Sequence, residues 1–171
     1  MRERYWHFFF SAMYKSFYYK HFQQLLNGIN WFITAFLSLT SLSCIATWGL
    51  WSKHKLVWTV FLCTAQVIQA LFPKLPYNEL LISTKFMISA LDSLIMDIEH
   101  DWLYIDIHYA ELSEDDILNL LYKHQSKYSA LVNQFFAGAY LPTIGFCEAR
   151  SQRDCENYFT VNYPTKEESH E

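Results

Sequence analysis

Two apolar runs meet in the stretch WFITAFLSLTSLSCIATWGLWSKHKLVWTVFLC, residues 31–63, and the short charged gap between them decides the fold. The first run, Trp31–Trp51, has no formally charged residue, and its 21 residues would rise about 30 Å as a helix, the thickness of a bilayer's hydrocarbon layer. The second run, Leu56–Pro73, is uncharged over 18 residues. Tryptophans stand near the run ends, as interfacial aromatic residues do. We therefore expect an all-α membrane protein with a two-helix transmembrane hairpin at residues 30–73; the alternative for each run is a buried core helix.

The distribution of basic residues predicts the orientation of this hairpin. The connection between the spans offers only Lys53 and Lys55. Six basic residues lie near the opposite ends of the spans: Arg2, Arg4, Lys15, Lys20, Lys74 and Lys85. Since the cytoplasmic side carries the excess of Lys and Arg, we expect a multi-pass protein of the inner (cytoplasmic) membrane with both termini in the cytoplasm.

Residues 1–29 precede the spans and include RYWHFFFSAMYKSFYYKHF, which is rich in aromatic residues and interrupted by lysines. Bulky aromatic residues mixed with cations are typical of a helix that lies in the membrane–water interface. We expect such an amphipathic interfacial helix here, ended by Gly28 and Asn30 before the chain enters the membrane.

Polar residues recur at helical spacing on one face of each predicted span. The first face carries Thr34, Ser38 and Ser41, and the second carries Thr59 and Gln66, with Gln69 one turn away. An amide or hydroxyl exposed to lipid has nothing to bond, so these faces must meet protein or water. Two interpretations stay open: helix–helix packing, or the lining of a water-filled path in an oligomer.

We expect residues 77–160, after the spans, to form a cytoplasmic helical domain for oligomerisation and sensing. A polar tail follows at 161–171. Apolar residues at steps of three and four indicate a long helix from Leu80 to Leu112. Ser113, with an acidic residue three positions later, is typical of a helix start, and two further helices are expected to about Ala137 and over Ile144–Phe159. On the first helix, Asp92, Glu99 and Asp106 form an acidic stripe that we interpret as a solvated face.

Charge is divided unevenly along the chain. Residues 1–73 carry six Lys and Arg against Glu3 alone, a net of +5, and residues 74–171 carry a net of −9. We interpret this asymmetry as a membrane half followed by a water-exposed half. The acidic half has one small basic group, Lys123, Lys127, Arg150 and Arg153, with Tyr128 nearby, which is a candidate site for a phosphate-bearing ligand; the alternative is ordinary ion pairing.

Chemistry-bearing motifs are missing from the sequence. There is no glycine-rich phosphate loop, no HExxH and no GxSxG, and the four cysteines show no CxxC pair. We therefore expect no enzyme activity, no cofactor, no metal site and reduced thiols.

The arrangement resembles the SLATT group, the SMODS and SLOG-associating two-transmembrane effectors of prokaryotic conflict systems. The points of resemblance are the aromatic and basic N-terminal helix, the two spans with the tight SKHK turn, and the helices that follow. Within that group it is similar to the effectors of Hailong-type antiphage defence, which act with a nucleotidyltransferase that makes an oligonucleotide signal.

The resemblance implies an oligomeric pore, most simply a tetramer, that contacts membrane lipid. A nucleotide or single-stranded oligonucleotide would gate it and cause membrane depolarisation or growth arrest, as in abortive infection. The alternative function is a non-conducting membrane anchor or adaptor, including a phage exclusion protein, that scaffolds a soluble partner.

Overall fold

The computed structural model describes residues 1–46, 55–72, 77–136 and 142–164. These residues form five helices and no strand, which confirms the all-α prediction. The helices are α1 (Arg2–Ala46), α2 (Lys55–Leu71), α3 (Tyr77–Ile107), α4 (Glu114–Phe136) and α5 (Gly145–Asn162). They belong to two compact units: unit 1 comprises Met1–Gln23 and Ser83–Glu171, and unit 2 comprises Gln24–Ile82.

Unit 1 is a helical bundle in which the first part of α1 packs against α3, α4 and α5. Each helix contributes a buried stripe at steps of three or four residues, the spacing that places side chains on one helical face. The buried side chains include Tyr5, Phe9, Ala12, Ser16 and Phe22 of α1; Met87, Leu91, Leu94, Ile98 and Ile105 of α3; Ile117, Leu121 and His124 of α4; and Cys147, Ser151, Cys155 and Phe159 of α5. Because α1 contacts all three other helices, its aromatic residues are the centre of this core.

The predicted end of the N-terminal helix is wrong. α1 does not end at Gly28 or Asn30 but continues without interruption to Ala46, and an added Cβ at Gly28 would meet nothing within 4 Å. An isolated glycine lowers helix propensity by only about 1 kcal/mol, which the neighbouring turns can outweigh. The aromatic rings of residues 5–22 were assigned to a membrane interface; the structure buries five of these ten rings against protein and leaves the other five partly exposed. The interfacial location stays a prediction.

The three helices expected after residue 77 are confirmed, except that the first ends five residues before the predicted Leu112. The first ends at Ile107, the second covers Glu114–Phe136, and the third covers Gly145–Asn162. The predicted start of α4 is confirmed: the Asp115 N–H donates to Ser113 Oγ at 3.2 Å, and the Ser113 N–H donates to Asp116 Oδ2 at 3.3 Å. This reciprocal arrangement satisfies backbone donors that a helix start leaves unpaired.

The described residues of unit 2 form almost no core. The Phe36 and Phe61 rings meet at 4.8 Å, and the Tyr77 hydroxyl donates to the Leu26 carbonyl oxygen. Only Leu26, Thr40 and Ala65 are buried among the side chains of this unit that the structure describes. Its large apolar residues are instead exposed: Ile29, Trp31, Phe32, Leu39, Leu56, Val57, Val60, Phe61, Val67, Leu71 and Ile82.

Among the described residues, no helix combines the length and the apolar character needed to cross a membrane. The described residues do not include 47–54 and 73–76. The end of the first predicted span, the turn at Ser52–His54 and the two prolines that end the second span fall in these ranges. The transmembrane hairpin stays a prediction.

Candidate functional site

The opposite charges of the two halves of the sequence meet inside unit 1. Lys20 Nζ lies 2.8 Å from Asp92 Oδ1, which also accepts a hydrogen bond from Ser16 Oγ at 2.8 Å. Arg2 pairs with Asp106, and His21 Nε2 lies 2.7 Å from Asp154 Oδ2. The basic start of α1 therefore neutralises part of the acidic half. The predicted division into a membrane half and a water-exposed half did not include these contacts.

The acidic stripe of α3 is only partly solvated, because its carboxylates have partners on other parts of unit 1 while Asp106 remains exposed. Asp92 and Asp106 pair with cations of α1, and Glu99 accepts hydrogen bonds from the Tyr158 and Tyr163 hydroxyls at 2.7 and 2.9 Å. Burial, followed by the bond and the charge of Glu99, raises the pKa of Tyr158 to about 12, so that this hydroxyl keeps its proton and donates. In the described part of the chain, no group of His, Cys, Asp and Glu is placed to hold a metal ion.

The lysines of the predicted basic ligand site pair with carboxylates, and the ligand site itself stays a prediction. Lys127 Nζ lies 2.9 Å from Asp97 Oδ2, and Lys123 Nζ lies 4.0 Å from Asp101 Oδ2, so both lysines face carboxylates of α3. These contacts are the ion pairing that we named as the alternative. On α5, Arg150 lies over the Phe146 ring at 5.7 Å, and Arg153 is exposed. Tyr128 faces α1, with Lys15 Nζ 4.6 Å from its ring centre.

A different group of cations and rings surrounds an open groove of about 1120 Å³ in unit 1. The start of α1, the end of α3 and the residues after α5 form it. Its lining includes Arg2, Arg4, Trp6, His7, Trp102, Asp106, Tyr109 and Tyr163. We call it the terminal groove.

Aromatic packing fixes the rings of the terminal groove. The Trp6 ring lies 4.7 Å from Trp102 and 5.4 Å from Tyr163, centre to centre. The Arg2 guanidinium lies over the Trp102 and Tyr109 rings at 5.6 and 5.5 Å. Cations that neutralise phosphate and flat rings that stack on bases are the groups that hold nucleotides and single strands. The groove therefore combines cations and rings of this kind, although Arg2 pairs with Asp106, Glu3 is a second carboxylate of the lining, and Trp102 is buried.

Sequence reasoning missed this groove. Its cations and Trp6 stand in RERYWH at residues 2–7, which the sequence analysis assigned to the interfacial helix. Their partners Trp102, Tyr109 and Tyr163 lie at least 95 positions away, so no local spacing joins them. The available signal was the concentration of Arg, Trp and His within six residues.

A buried histidine–carboxylate pair joins α3 to α4. His124 is fully buried, and its Nε2–H donates to Asp101 Oδ2 at 2.8 Å, while Nδ1 has no partner among the described residues. Burial pushes the pKa of Asp101 upward, but hydrogen bonds from His124 and His100, with the charges of His124 and Lys123, outweigh it and hold that pKa below its ordinary value. The ionised carboxylate is the form that the fold favours.

Replacing Asp101 by asparagine should cost about 1–3 kcal/mol at neutral pH, the range for a hydrogen bond to a charged group. A carboxyl group whose pKa is lower in the folded state contributes stability above its unfolded value, about 4, and loses that contribution as the pH falls through the folded pKa. We therefore expect the stability difference between the wild type and Asp101→Asn to be constant from pH 7 to about pH 5 and to shrink below about pH 4. Thermal unfolding across this range measures it, and a constant difference down to pH 2 would contradict the assignment.

Five of the six predicted pore-lining residues are exposed in unit 2: Thr34, Ser38, Thr59, Gln66 and Gln69. Ser41 belongs to α1, but its side chain is outside the described part. Phe36 of α1 and Phe61 of α2 form one contact between the two helices. The pore-lining role of the polar faces stays a prediction.

The sequence matches no protein-family model, and no curated protein and no solved structure matches it either.

Proposed function

We propose that this protein is an oligomeric, pore-forming membrane effector whose unit 2 enters the bilayer and whose unit 1 binds the gating signal. The observation that carries the proposal is the apolar surface of unit 2. Leu56 is 78% exposed and Trp31 is 72% exposed, in a unit with three buried side chains among those described. Exposed apolar surface on this scale marks a membrane or an interaction site.

Burial of that surface would be strongly favourable. At about 25 cal/mol per Å² of apolar surface, each large side chain removed from water contributes about 1.5–3 kcal/mol. Unit 2 has no charged residue over Gln24–Ala46 or Leu56–Phe72 that would oppose transfer to lipid. The proposal rests on this surface and not on helix length.

The exposed face of α2 is divided in a way that suits an oligomer in lipid. Leu56, Val60 and Val67 recur at steps of four and seven on one side. The polar and small side chains Thr59, Cys63, Gln66 and Ala70 follow at steps of four, three and four on the adjacent flank. Helical geometry therefore places an apolar flank beside a polar flank. The apolar flank would contact lipid tails, and the polar flank would contact a neighbouring copy or line the water-filled path.

The terminal groove supports the sensing part of the proposal. It brings Arg2 and Arg4 together with the rings of Trp6 and Trp102, which suits a nucleotide or a short single-stranded oligonucleotide. Together with the resemblance to SLATT effectors, this favours a role in prokaryotic antiphage defence, with both termini in the cytoplasm. A partner enzyme of the nucleotidyltransferase class would supply the signal.

Currents across a planar bilayer test the proposal. The full chain, reconstituted alone and then with short oligonucleotides, is expected to conduct ions in at least one condition. Gln66→Leu should change the conductance if the polar flank of α2 lines the path, and Ser38→Leu tests α1 in the same way. Gln125→Leu, on the exposed face of α4, is the matched control. Absence of current from the wild type in every condition would refute the pore.

One observation favours a second candidate, a non-conducting membrane anchor or adaptor. The Ser38 hydroxyl donates to the Thr34 carbonyl oxygen at 2.8 Å, and the Thr64 hydroxyl donates to the Val60 carbonyl oxygen at 2.9 Å. Hydroxyls satisfied within their own helix tolerate lipid without water. An anchor would keep its cellular function after the hairpin is exchanged for an unrelated one, whereas a pore would lose it.

A further inference from the structure

α3 carries an exposed stripe on the side opposite its buried face. We call this stripe the α3 seam. Its members follow one another at steps of 3, 4, 3, 4, 3 and 4, and every one of them is exposed. They are Phe86, Ser89, Ser93, Met96, His100, Leu103 and Ile107.

Large apolar side chains distinguish the seam from ordinary surface: Phe86, Met96, Leu103 and Ile107 are all exposed on it. The seam averages 3.5 residues per turn over 22 residues, which is compatible with the repeat that keeps two supercoiled helices in contact. Since any face of a helix gives similar steps, the apolar side chains and not the spacing indicate a partner. The other face of α3 already packs in the bundle through Met87, Leu91 and Ile98, so the seam is a second, separate packing face.

Within unit 1 the seam is covered only at its start, among the described residues. The Phe86 ring stacks on Phe135 of α4 at 6.5 Å, yet Phe86 remains 58% exposed. Met96 is 67% exposed and Ile107 is 76% exposed. At about 200 Å² for each large side chain, the four apolar members expose roughly 500 Å², the size of patch that marks an interaction site. With the flanking residues, a paired seam would approach the roughly 800 Å² per partner of a stable complex.

The order of large and small residues identifies the partner as a second copy of α3. In an antiparallel pair with seam residues facing seam residues, Ser93 lies opposite Met96 of the other copy, and Ser89 lies opposite His100. Phe86 then lies opposite Leu103. Each small side chain therefore faces a larger one, which fills space without voids. In a parallel pair, serine would face serine twice and leave gaps.

We propose that two copies of this protein associate through antiparallel α3 seams about a two-fold axis. Such an interface is isologous, because the same surface serves both copies. The proposal goes beyond the proposed function, since it holds whether or not the protein conducts ions. Four copies would form from two such pairs joined by other surfaces.

Disulfide cross-linking between two differently tagged copies tests the register. Both copies carry Cys44→Ser and Cys63→Ser. The remaining native thiols, Cys147 and Cys155, are buried, and burial raises the pKa of the Cys155 thiol to about 12. Neither of them therefore competes for disulfide formation. One copy carries Ser93→Cys and the other Met96→Cys. We expect a hetero-tagged product when the two are oxidised together, and no comparable product when Gln125→Cys on α4 replaces either one.

Sedimentation of the full chain in mild detergent tests the interface itself. Met96→Glu, which places charge at the centre of the seam, should weaken self-association at least tenfold and leave the helix content unchanged. Gln125→Glu should sediment like the wild type. The proposal is overturned if the wild type is a monomer, in which case the seam serves another partner, or if Met96→Glu and Leu103→Glu both keep the wild-type mass. Met96→Glu should still bind liposomes like the wild type. A loss of self-association with unchanged liposome binding would then concern the seam alone and not the proposed membrane role of unit 2.

Discussion

Replacement of Phe9 by alanine is expected to lower the free energy of unfolding by about 3–5 kcal/mol, the usual cost of removing a buried phenylalanine ring. Phe9 is fully buried and lies 5.1 Å from the Phe159 ring and 5.9 Å from the Trp6 ring. The truncation would leave a cavity where α1 meets α5, because the surrounding rings are held by their own contacts. Since folded domains are stable by about 5–15 kcal/mol in total, much of that stability would be lost.

Near-ultraviolet circular dichroism during thermal unfolding measures this effect, because the packed rings of unit 1 give the signal. Phe146→Ala is the matched control: Phe146 lies on α5 but is 67% exposed, so its removal should cost well under 1 kcal/mol. Equal melting temperatures for the two variants would show that the aromatic cluster is not the core of unit 1.

The substitution Val67→Lys is expected to release the protein from membranes. Val67 is exposed on the apolar flank of α2, and the proposed function places that flank in lipid. A lysine near the centre of a membrane helix costs about 3 kcal/mol relative to valine, which corresponds to roughly a 100-fold change in partitioning. The fraction of protein that stays in membranes after carbonate extraction should fall accordingly.

Gln125→Lys provides the comparison, because it adds the same charge to an exposed position of unit 1. That variant should remain in the membrane fraction like the wild type. If Val67→Lys is retained equally well, the apolar flank does not lie in lipid, and the exposed surface of unit 2 is covered by protein.

Local signals in the sequence were sufficient for α3, α4 and α5. Apolar residues at steps of three and four fixed the buried faces, and Ser113 with Asp116 located the start of α4, because capping depends on residues only three apart. The continuity of α1 could not be predicted in the same way. Gly28 is a weak helix breaker, and whether the helix continues depends on packing that the local sequence does not show.

Long-range pairing explains the other differences. The net charges of +5 and −9 were correctly counted, but the contacts of Lys20 with Asp92 and of Arg2 with Asp106 depend on how α1 lies against α3. The terminal groove was missed for the same reason, because Trp6 and Trp102 meet only in the folded chain. The ion pairs of Lys123 and Lys127 with carboxylates of α3 likewise depend on how α3 lies against α4, and the ligand site predicted from these lysines stays a prediction.

Unit 1 is built from two stretches of sequence, residues 1–23 and 83–171, with all of unit 2 between them. During synthesis the first stretch leaves the ribosome several seconds before its partners, at about 5–20 residues per second. The Phe9 ring, which packs against Phe159, therefore stays partly uncovered until α5, which ends at Asn162, has been made. A nascent chain of this protein is exposed to aggregation for most of its translation, and a chaperone or an early membrane contact that shields its first 23 residues would raise the yield of folded protein.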